Sequence, residues 1–247
     1  MPLICLRLSL RILSWEAWAG PLLSDKKAWQ EWAASDQEWN SSWLQSPPVS
    51  TMPPILRRRA DSSDRLGLEV AFRLAPAGLN VPTVFASRHG QVARSTSMLQ
   101  AQVTGETTSP MDFSLSVHNA VAGQFSISKG DRNLSSSLSS RYESFTSALL
   151  EAQGMINEGH NRVLVVMSDP MPPAVYQEHW DTEPAGYGLG LMLESSAGET
   201  FELSLWEAES KEDSIPPQAL IFLKMLAGHK KSAFWQRGSR RWTWERL

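Results

Sequence analysis

The segment from Ser135 to Met167 constrains the fold more than any other part of this sequence. A short run at Ser135 to Leu138 precedes a stretch with helical apolar spacing, and Val163 to Met167 is apolar without interruption. An unbroken apolar run of this length is typical of a strand that is buried on both faces of a sheet. Strand, turn, helix and buried strand in this order predict a βαβ unit and therefore an α/β fold.

The helix inside this unit has recognisable start and stop signals. Ser140 and Glu143 have the S-x-x-E spacing of a capping box, which predicts the helix start. The run Asn157 to Gly159 predicts its end. The apolar residues repeat at helical spacing: Phe145, Ala148, Leu149, Ala152, Met155 and Ile156.

The first residues alternate between apolar and polar side chains. Ile4, Leu6, Leu8, Leu10 and Ile12 would share one face of a strand, which predicts a strand with one buried face. Because Arg7 and Arg11 interrupt the run, it has the length and order of neither a membrane span nor a signal peptide. We therefore expect a cytoplasmic protein with no membrane span.

Tryptophan is unusually frequent, with 11 residues in the chain. Ser24 or Asp25 can cap a helix that runs towards Trp43, and this helix would place four indoles on one stripe: Trp29, Trp32, Trp39 and Trp43. An exposed stripe of this kind is costly, so core or a partner chain must cover it. Burial in the protein's own core is the favoured interpretation.

Further elements are predicted from periodicity and from glycine or proline breaks. They are an extended connector at 46–54, a helix capped by Ser62 or Ser63 that reaches about Ala77, a strand at 81–87, a helix at 119–127 ended by Gly130, and a helix around 220–226 ended by Gly228. Gly186 to Leu193 and Phe201 to Trp206 predict two strands, which the short turn between them would join as an antiparallel hairpin.

Composition excludes several classes of function. The single cysteine, Cys5, excludes an internal disulfide framework and a cysteine-clustered zinc site, and it fits a reducing compartment. A net charge of −3 gives no chain-wide attraction to nucleic acid or membrane. His160 and His179 lack metal-ligand spacing, and nucleotide-binding glycine motifs are absent. We expect neither a metal nor a cofactor.

The turn before the predicted helix is where several α/β enzymes hold a nucleophile. The turn exposes the side chain, and the helix end stabilises developing negative charge. Here Tyr142 occupies the first turn. Tyrosine is a poor acyl-transfer nucleophile near neutral pH, because its hydroxyl has a reference pKa of about 10.

Several runs of residues resemble the N-terminal half of β-ketoacyl synthases, and in particular the short synthase-like proteins described as chain-length factors. The runs are SPMDFSLSVHNAVAGQFSI from Ser109, VLVVMSDPMP from Val163, the stretch Leu56 to Arg59 and the stretch Ala86 to Gly90. The resemblance covers residues 1 to about 245. It is most specific from Ser109 to Val166.

The resemblance implies a thiolase-like α/β half-fold, a mixed sheet with packed helices that lacks the second repeat. We expect one domain over residues 1–247, made of a Trp-rich strand, helix and connector at 1–54, an α/β core at 55–206, and a final helix and basic Trp-rich tail at 207–247. In such a half-fold the tryptophans from Trp15 to Trp43 and those of the tail would cover the face that a second repeat normally covers, or would meet the partner.

The resemblance also implies a function. The nucleophilic cysteine of the family falls at Tyr142, and the chain has neither the H-G-T-G-T run nor the glycine-rich run that follows it in synthases. We therefore expect no catalytic residue, but a subunit that pairs with an active β-ketoacyl synthase and transiently meets an acyl carrier protein. Short members of this subgroup are associated with aryl polyene biosynthesis.

Interface or channel-lining residues are expected around the pairing strand that precedes Tyr142. They are Ser116, Val117, His118, Asn119, Val121, Ala122, Phe125 and Tyr142. His118 has a structural alternative, since a lone histidine beside an asparagine is more often a satisfied structural residue.

Two alternatives stay open at this point. The chain could be an independent enzyme that acts on carrier-bound acyl thioesters with Tyr142, Glu143 or His118 as acid or base. The basic tail with Trp235, Trp242 and Trp244 could dock an acidic carrier protein or stack on nucleic acid, although packing on the protein itself is favoured.

Overall fold

The structure is a computed structural model that describes residues 4–20, 25–35, 37–40, 42, 44–179, 186–208, 213–214 and 216–247. The strands of this part of the chain are β1 (Ile4–Trp18), β2 (Thr83–Ala86), β3 (Ser135–Leu138), β4 (Arg162–Asp169), β5 (Tyr187–Glu194), β6 (Glu199–Glu207), β7 (Ser232–Arg237) and β8 (Arg240–Arg246). They form one mixed sheet in the order β3-β2-β4-β5-β1-β6-β8-β7. β3, β2 and β4 are parallel, and every other pairing is antiparallel.

The helices are α1 (Lys26–Ala34), α2 (Pro54–Arg57), α3 (Ser62–Leu74), α4 (Val92–Thr104), α5 (Pro110–Leu115), α6 (Ala120–Lys129), α7 (Ser144–Asn157) and α8 (Gln218–Ala227). Short 3₁₀ helices cover Arg141–Glu143 and Ala174–His179. None of the described helices is long and apolar enough to cross a membrane.

The sheet is buried on both faces at its centre. Val163 and Val165 of β4 pack with α1, α7 and α8 on one side. Leu164 and Val166 pack with α3 and α6 on the other side. This alternation is why the VLVVM run contains no polar residue, and the prediction of a doubly buried strand is confirmed.

The predicted βαβ unit is present, and β2 lies between its two strands, β3 and β4. β3 and β4 both pair in parallel with β2, on opposite sides of it, and α7 connects them. The buried side of α7 consists of the residues that helical spacing selected, among them Phe145, Leu149 and Met155. Gly159 follows the helix with a positive φ of 106°, as a glycine stop requires.

The predicted hairpin of β5 and β6 is wrong. The two strands are consecutive in the chain, but β1 lies between them and pairs antiparallel with both. Ile12 stands opposite Leu193 of β5 and also opposite Glu199 of β6, so the connecting turn passes over β1 at this point. The alternation of β1 buries Leu10 and Ile12 as predicted, whereas Ile4 at the end of the strand is exposed.

The described tryptophans before Ser46 lie in the core or pack against it, but the predicted helix is shorter than expected. Asp25 caps α1 by accepting a hydrogen bond from the Ala28 N–H at 2.9 Å, and the helix ends at Ala34 because Ser35 is extended. Trp39 returns from a non-helical segment and stacks on Trp29 at 6.3 Å between ring centroids. Trp43 and Ser24 lie outside the described residues.

Two further boundaries differ from the sequence prediction. Asp61, not Ser62 or Ser63, caps α3, because its carboxylate accepts hydrogen bonds from two backbone N–H groups; the helix stops at Leu74, before Ala77. The basic tail is a β-hairpin, β7 and β8, whose inward side chains are Trp235, Trp242 and Trp244. These indoles pack on the protein itself, as favoured from the charge balance.

The turn over β1 generates a prediction about stability. Gly198 has a φ of +105°, and a Cβ there would lie 2.4 Å from the Ile12 carbonyl oxygen. We expect Gly198→Ala to lower the free energy of unfolding by roughly 2–5 kcal/mol, since backbone strain and steric overlap add. Urea unfolding measures the change.

Gly238→Ala is the matched control. Gly238 also has a positive φ, of +56°, but a Cβ at this position would meet no atom within 4 Å beyond its chain neighbours. We expect a loss of about 1–2 kcal/mol from backbone strain alone. Equal losses in the two variants would contradict the close crossing of the turn over β1.

Candidate functional site

Tyr142 lies in the sharp turn between the edge strand β3 and α7. Arg141, the residue before it, has a positive φ of 51°, and the 3₁₀ turn Arg141–Glu143 leads into α7. Ser144 holds this turn, because its hydroxyl accepts from the Ser140 N–H at 2.9 Å and donates to the Arg141 carbonyl at 2.8 Å. The structure therefore places Tyr142 in the strand–turn–helix position that the sequence predicts.

The predicted capping box of Ser140 and Glu143 is wrong. The Ser140 side chain makes no capping hydrogen bond. The Glu143 carboxylate instead accepts two hydrogen bonds from Arg240 of β8, at 2.6 and 2.7 Å. The intervening 3₁₀ turn displaces the helix start to Ser144, and Arg240 offers the carboxylate a bidentate partner that a backbone N–H cannot match.

Three guanidinium groups surround the Tyr142 ring, which is half-buried. Their Cζ atoms lie at 3.7 Å for Arg237, 4.2 Å for Arg88 and 5.4 Å for Arg141 from the ring centroid. Cations attract the π face of an aromatic ring at these distances. The turn thus presents an aromatic ring held among arginines and no thiol; the one cysteine, Cys5, is exposed on β1.

Asp169 at the end of β4 fixes the backbone that carries Arg88. Its Oδ1 accepts hydrogen bonds from the Arg88 N–H at 2.7 Å and from the Ser87 hydroxyl at 2.9 Å. Its Oδ2 accepts from the Tyr187 hydroxyl at 3.1 Å. Burial raises the pKa of Tyr187 well above its ordinary value, so this phenol stays a neutral donor. Sequence reasoning missed this network, because its members are distant in the chain.

A groove of about 520 Å³ runs beside the open edge of β3, which pairs only with β2 among the described strands. Three predicted site residues meet there: His118, Asn119 and Ala122. Ser135 and Ser137 of the strand line the same groove. Both strand residues have small hydroxyl side chains, which leave the edge open to close approach.

His118 also has a structural contact. Its Nε2 lies 3.1 Å from the Ser87 carbonyl oxygen, and its ring fits against Gly90, where a Cβ would come within 2.9 Å. Together with Val121 it lines a second cavity of about 20 Å³, which has room for a single water molecule. His118 therefore joins the groove to the loop that carries Arg88.

The other predicted site residues are dispersed. Ser116 ends α5, where its hydroxyl donates to the Phe113 carbonyl at 2.8 Å, and Val117 beside it is exposed. Phe125 is buried between Phe72 and Phe85, with ring centroids 5.2 and 5.6 Å away, so it packs in the core. Tyr142 is not among the residues that line the groove.

Sequence reasoning missed an exposed apolar surface on α4 and α5. We call it the α4–α5 surface and define it by Leu99, Val103, Met111 and Phe113, all of them exposed; Val103 is 88% exposed. Leu99 and Val103 stand four residues apart on one helix face, a spacing that could have revealed it. Large apolar side chains exposed on neighbouring helices are a feature that a binding partner would cover.

Arg94, whose side chain is largely buried, connects α4 and α5 to the start of α3 through ion pairs. Arg94 of α4 bonds Asp112 of α5 at 2.8 Å, and it bonds Asp61 and Asp64 at the start of α3 at 2.8 and 3.2 Å. Gln91 donates to the other oxygen of Asp64 at 2.7 Å. Burial raises the pKa of Asp64, and the neighbouring Asp61 charge adds to this effect.

The described residues contain no group of three histidine, cysteine, aspartate or glutamate side chains that could hold a metal ion. The described residues thus offer four features that could serve binding: an open strand edge, a groove, exposed apolar side chains and an aromatic ring among arginines.

Comparison with known proteins identifies the family. A family model described as the β-ketoacyl synthase N-terminal domain matches residues 29–245. The chain belongs to this family, and the resemblance seen in the sequence is confirmed. A search of curated proteins finds no match.

Solved structures agree with this assignment. A chain of a ketosynthase in complex with its chain length factor from Xenorhabdus doucetiae matches with a TM-score of 0.86 and 29% identity, over 97% of this chain and 100% of that one. A β-ketoacyl synthase from Burkholderia phymatum matches with a TM-score of 0.59 and 12% identity, over 92% of this chain and 71% of that one. The ishigamide ketosynthase/chain length factor matches with a TM-score of 0.51 and 16% identity, over 76% and 62%. The last two show the fold alone, and the predicted thiolase-like mixed sheet is confirmed.

The buried arginine generates a prediction. We expect Arg94→Met to lower the free energy of unfolding by about 3–5 kcal/mol, since it leaves the buried carboxylate of Asp64 without its cation. Amide hydrogen exchange should accelerate over residues 92–115, because α5 loses its ion pair with α4.

Arg162→Met is the control. Arg162 pairs with Glu194 at 3.2 Å and its side chain is 41% exposed. A surface ion pair contributes only about 0–1 kcal/mol. If the two variants unfolded alike and exchange over 92–115 stayed slow, Arg94 would not be what holds the α4–α5 surface.

Proposed function

We propose that this chain is a non-catalytic subunit of the chain-length-factor type, which pairs with an active β-ketoacyl synthase. The observation that carries the proposal is Tyr142, which occupies the strand–turn–helix position where the family resemblance places the nucleophilic cysteine. A half-buried ring with Arg237 and Arg88 within about 4 Å of it leaves no thiolate to accept an acyl group. The structural match to a ketosynthase bound to its chain length factor supports this role.

The pairing surface is the open edge of β3 together with the α4–α5 surface. An edge strand offers unpaired backbone groups to another strand, and such strand addition is a common mode of protein recognition. The α4–α5 surface adds exposed apolar side chains, among them Val103 and Phe113. Obligate subunit interfaces bury more apolar area than transient ones do.

The groove beside β3 supports the second part of the proposal, that this subunit shapes the pocket for the growing chain. His118, Asn119 and Ala122 line the groove at the edge where the synthase would sit. Acyl chains of fatty-acid type or conjugated polyenes, with an aryl polyene as the specific product class, would extend along it. An acyl carrier protein would deliver these chains and contact the complex transiently.

The alternative of an independent enzyme has less support. Glu143 is held by two hydrogen bonds from Arg240, which reduces its availability as a base. His118 lines two cavities, and neither of them is lined by Tyr142 or Glu143. Among the described cavities, none therefore brings His118 together with Tyr142 or Glu143.

Co-expression tests the pairing. We expect the chain to be poorly soluble or to aggregate when it is expressed alone, and co-expression with the pathway's ketosynthase to rescue it as a one-to-one complex. Val103→Asp should remove this complex, because it places a charge within the apolar contact. Size-exclusion chromatography with light scattering measures the stoichiometry.

Ile55→Asp is the matched control, since Ile55 of α2 is 70% exposed and lies outside the α4–α5 surface. It should leave the complex intact. A stable monomer that ignores the ketosynthase would refute the proposed function.

Tyr142→Phe separates the two functions. If the chain is a non-catalytic subunit, the Tyr142→Phe variant keeps an aromatic ring among the arginines. Complex formation then stays intact, and product length changes little or modestly. As an independent enzyme using the Tyr142 hydroxyl, it loses its turnover. Intact mass spectrometry of the purified chain with an acyl thioester, together with product analysis of the complex, distinguishes these results; acylation or turnover by the chain alone would overturn the proposal.

A further inference from the structure

Both ends of the edge strand β3 carry an exposed arginine. Arg132 lies three residues before Ser135, the first residue of β3, and Arg141 lies three residues after Leu138, the last. The two arginines are therefore placed symmetrically about the middle of the strand. Both are exposed, and neither forms an ion pair within the described residues; the Arg141 guanidinium lies 5.4 Å from the Tyr142 ring centroid. The two cations thus flank the open edge.

The nearest carboxylates in the chain do not neutralise these cations. Asp131 is buried, and its Oδ1 accepts hydrogen bonds from the Asn133 N–H at 2.9 Å and from the Asn133 Nδ2 at 2.7 Å. Glu143 is held by Arg240. A partner that approaches the edge of β3 therefore meets positive charge at both ends of the strand.

The symmetric placement of Arg132 and Arg141 affects how two copies of the chain could pair through β3. If two copies paired their β3 strands antiparallel about a two-fold axis through the strand's middle, Arg132 of one copy would approach Arg141 of the other. The two-fold axis repeats this contact, since an isologous interface uses every contact twice. Like charges across an interface act against that pairing.

We propose that Arg132 and Arg141 select the partner of β3: they oppose pairing with a second copy of this chain and favour an edge strand flanked by carboxylates. The proposal rests on the proposed function, because it takes β3 as the pairing edge, and it adds the chemistry of the partner strand. Repulsive elements of this kind are how interfaces reject a wrong partner.

Charge reversal in this chain alone, kept below the concentration at which the unaltered chain aggregates, tests the proposal without the ketosynthase. A single variant, Arg132→Glu or Arg141→Glu, turns both symmetric contacts into attractive ones and should dimerise with itself about tenfold more tightly than the unaltered chain. The double variant R132E/R141E should again resist self-pairing, but it should form a mixed dimer with the unaltered chain. Sedimentation equilibrium and native mass spectrometry of differently tagged copies measure these states.

Salt and a matched variant serve as controls. Arg59→Glu makes the same charge change at an exposed residue between α2 and α3 and should leave self-association unchanged. The gain of the single variants should disappear near 1 M salt, where the screening length is only about 3 Å. Circular dichroism checks that each variant folds.

The proposal is overturned if neither single variant gains self-association and the double variant forms no mixed dimer. In complex with the co-expressed ketosynthase, R132E/R141E should weaken binding by about tenfold or more, and R59E should not. If the ketosynthase binds R132E/R141E and the unaltered chain equally well, the proposal of partner selection by charge fails while the proposed function stands. If the unaltered chain does not bind the ketosynthase, the proposed function fails, and the mixed-dimer experiment still decides the charge selection.

Discussion

The burial of β4 on both faces is the constraint on which the rest of the structure depends. A strand without a polar face needs a helical layer on each side, and the chain supplies α3 and α6 on one side and α1, α7 and α8 on the other. Because α7 must lie against β4 and β2, the turn that precedes it is fixed at the end of β3. The place of Tyr142 and the open edge of β3 both follow from this single requirement.

The tryptophans complete the layer that contains α7. Trp29, Trp32 and Trp39 pack against one another with centroids 5.6–6.3 Å apart, and Trp235 and Trp244 belong to the same cluster. Large rings bury much apolar area with few residues, so short segments suffice to cover a broad sheet. The hairpin of β7 and β8 also brings Arg237 and Arg240 to the Tyr142 turn. The hairpin of β7 and β8 thus contributes tryptophans to the core and arginines to the candidate site.

Local patterns predicted the elements next to the site, whereas distant contacts escaped prediction. β3, α6 and α7 have spacing and glycine signals within their own sequences, and the structure reproduces them. The β5–β6 hairpin was mispredicted because β1, from the other end of the chain, competes for both strands, and no local pattern records that competition. The same reason hides the Arg94 ion pairs and the hydrogen bonds of Asp169, whose partners are many residues away. Phe125 shows the opposite case: its neighbours in sequence suggested the site, but its packing places it in the core.

The position of β1 between β5 and β6 has a consequence for how the protein is made. β1 precedes every other described strand in the chain, yet both of its neighbours are synthesised only after most of the chain has left the ribosome. Contacts that distant in sequence form slowly, because loop closure must precede them. The parallel part of the sheet, β2 to β4 with α7, can assemble from a contiguous stretch, whereas Leu10 pairs only after β6 has been synthesised. Until then the apolar side chains of β1 are without their strand neighbours, and apolar surface left exposed during folding favours aggregation.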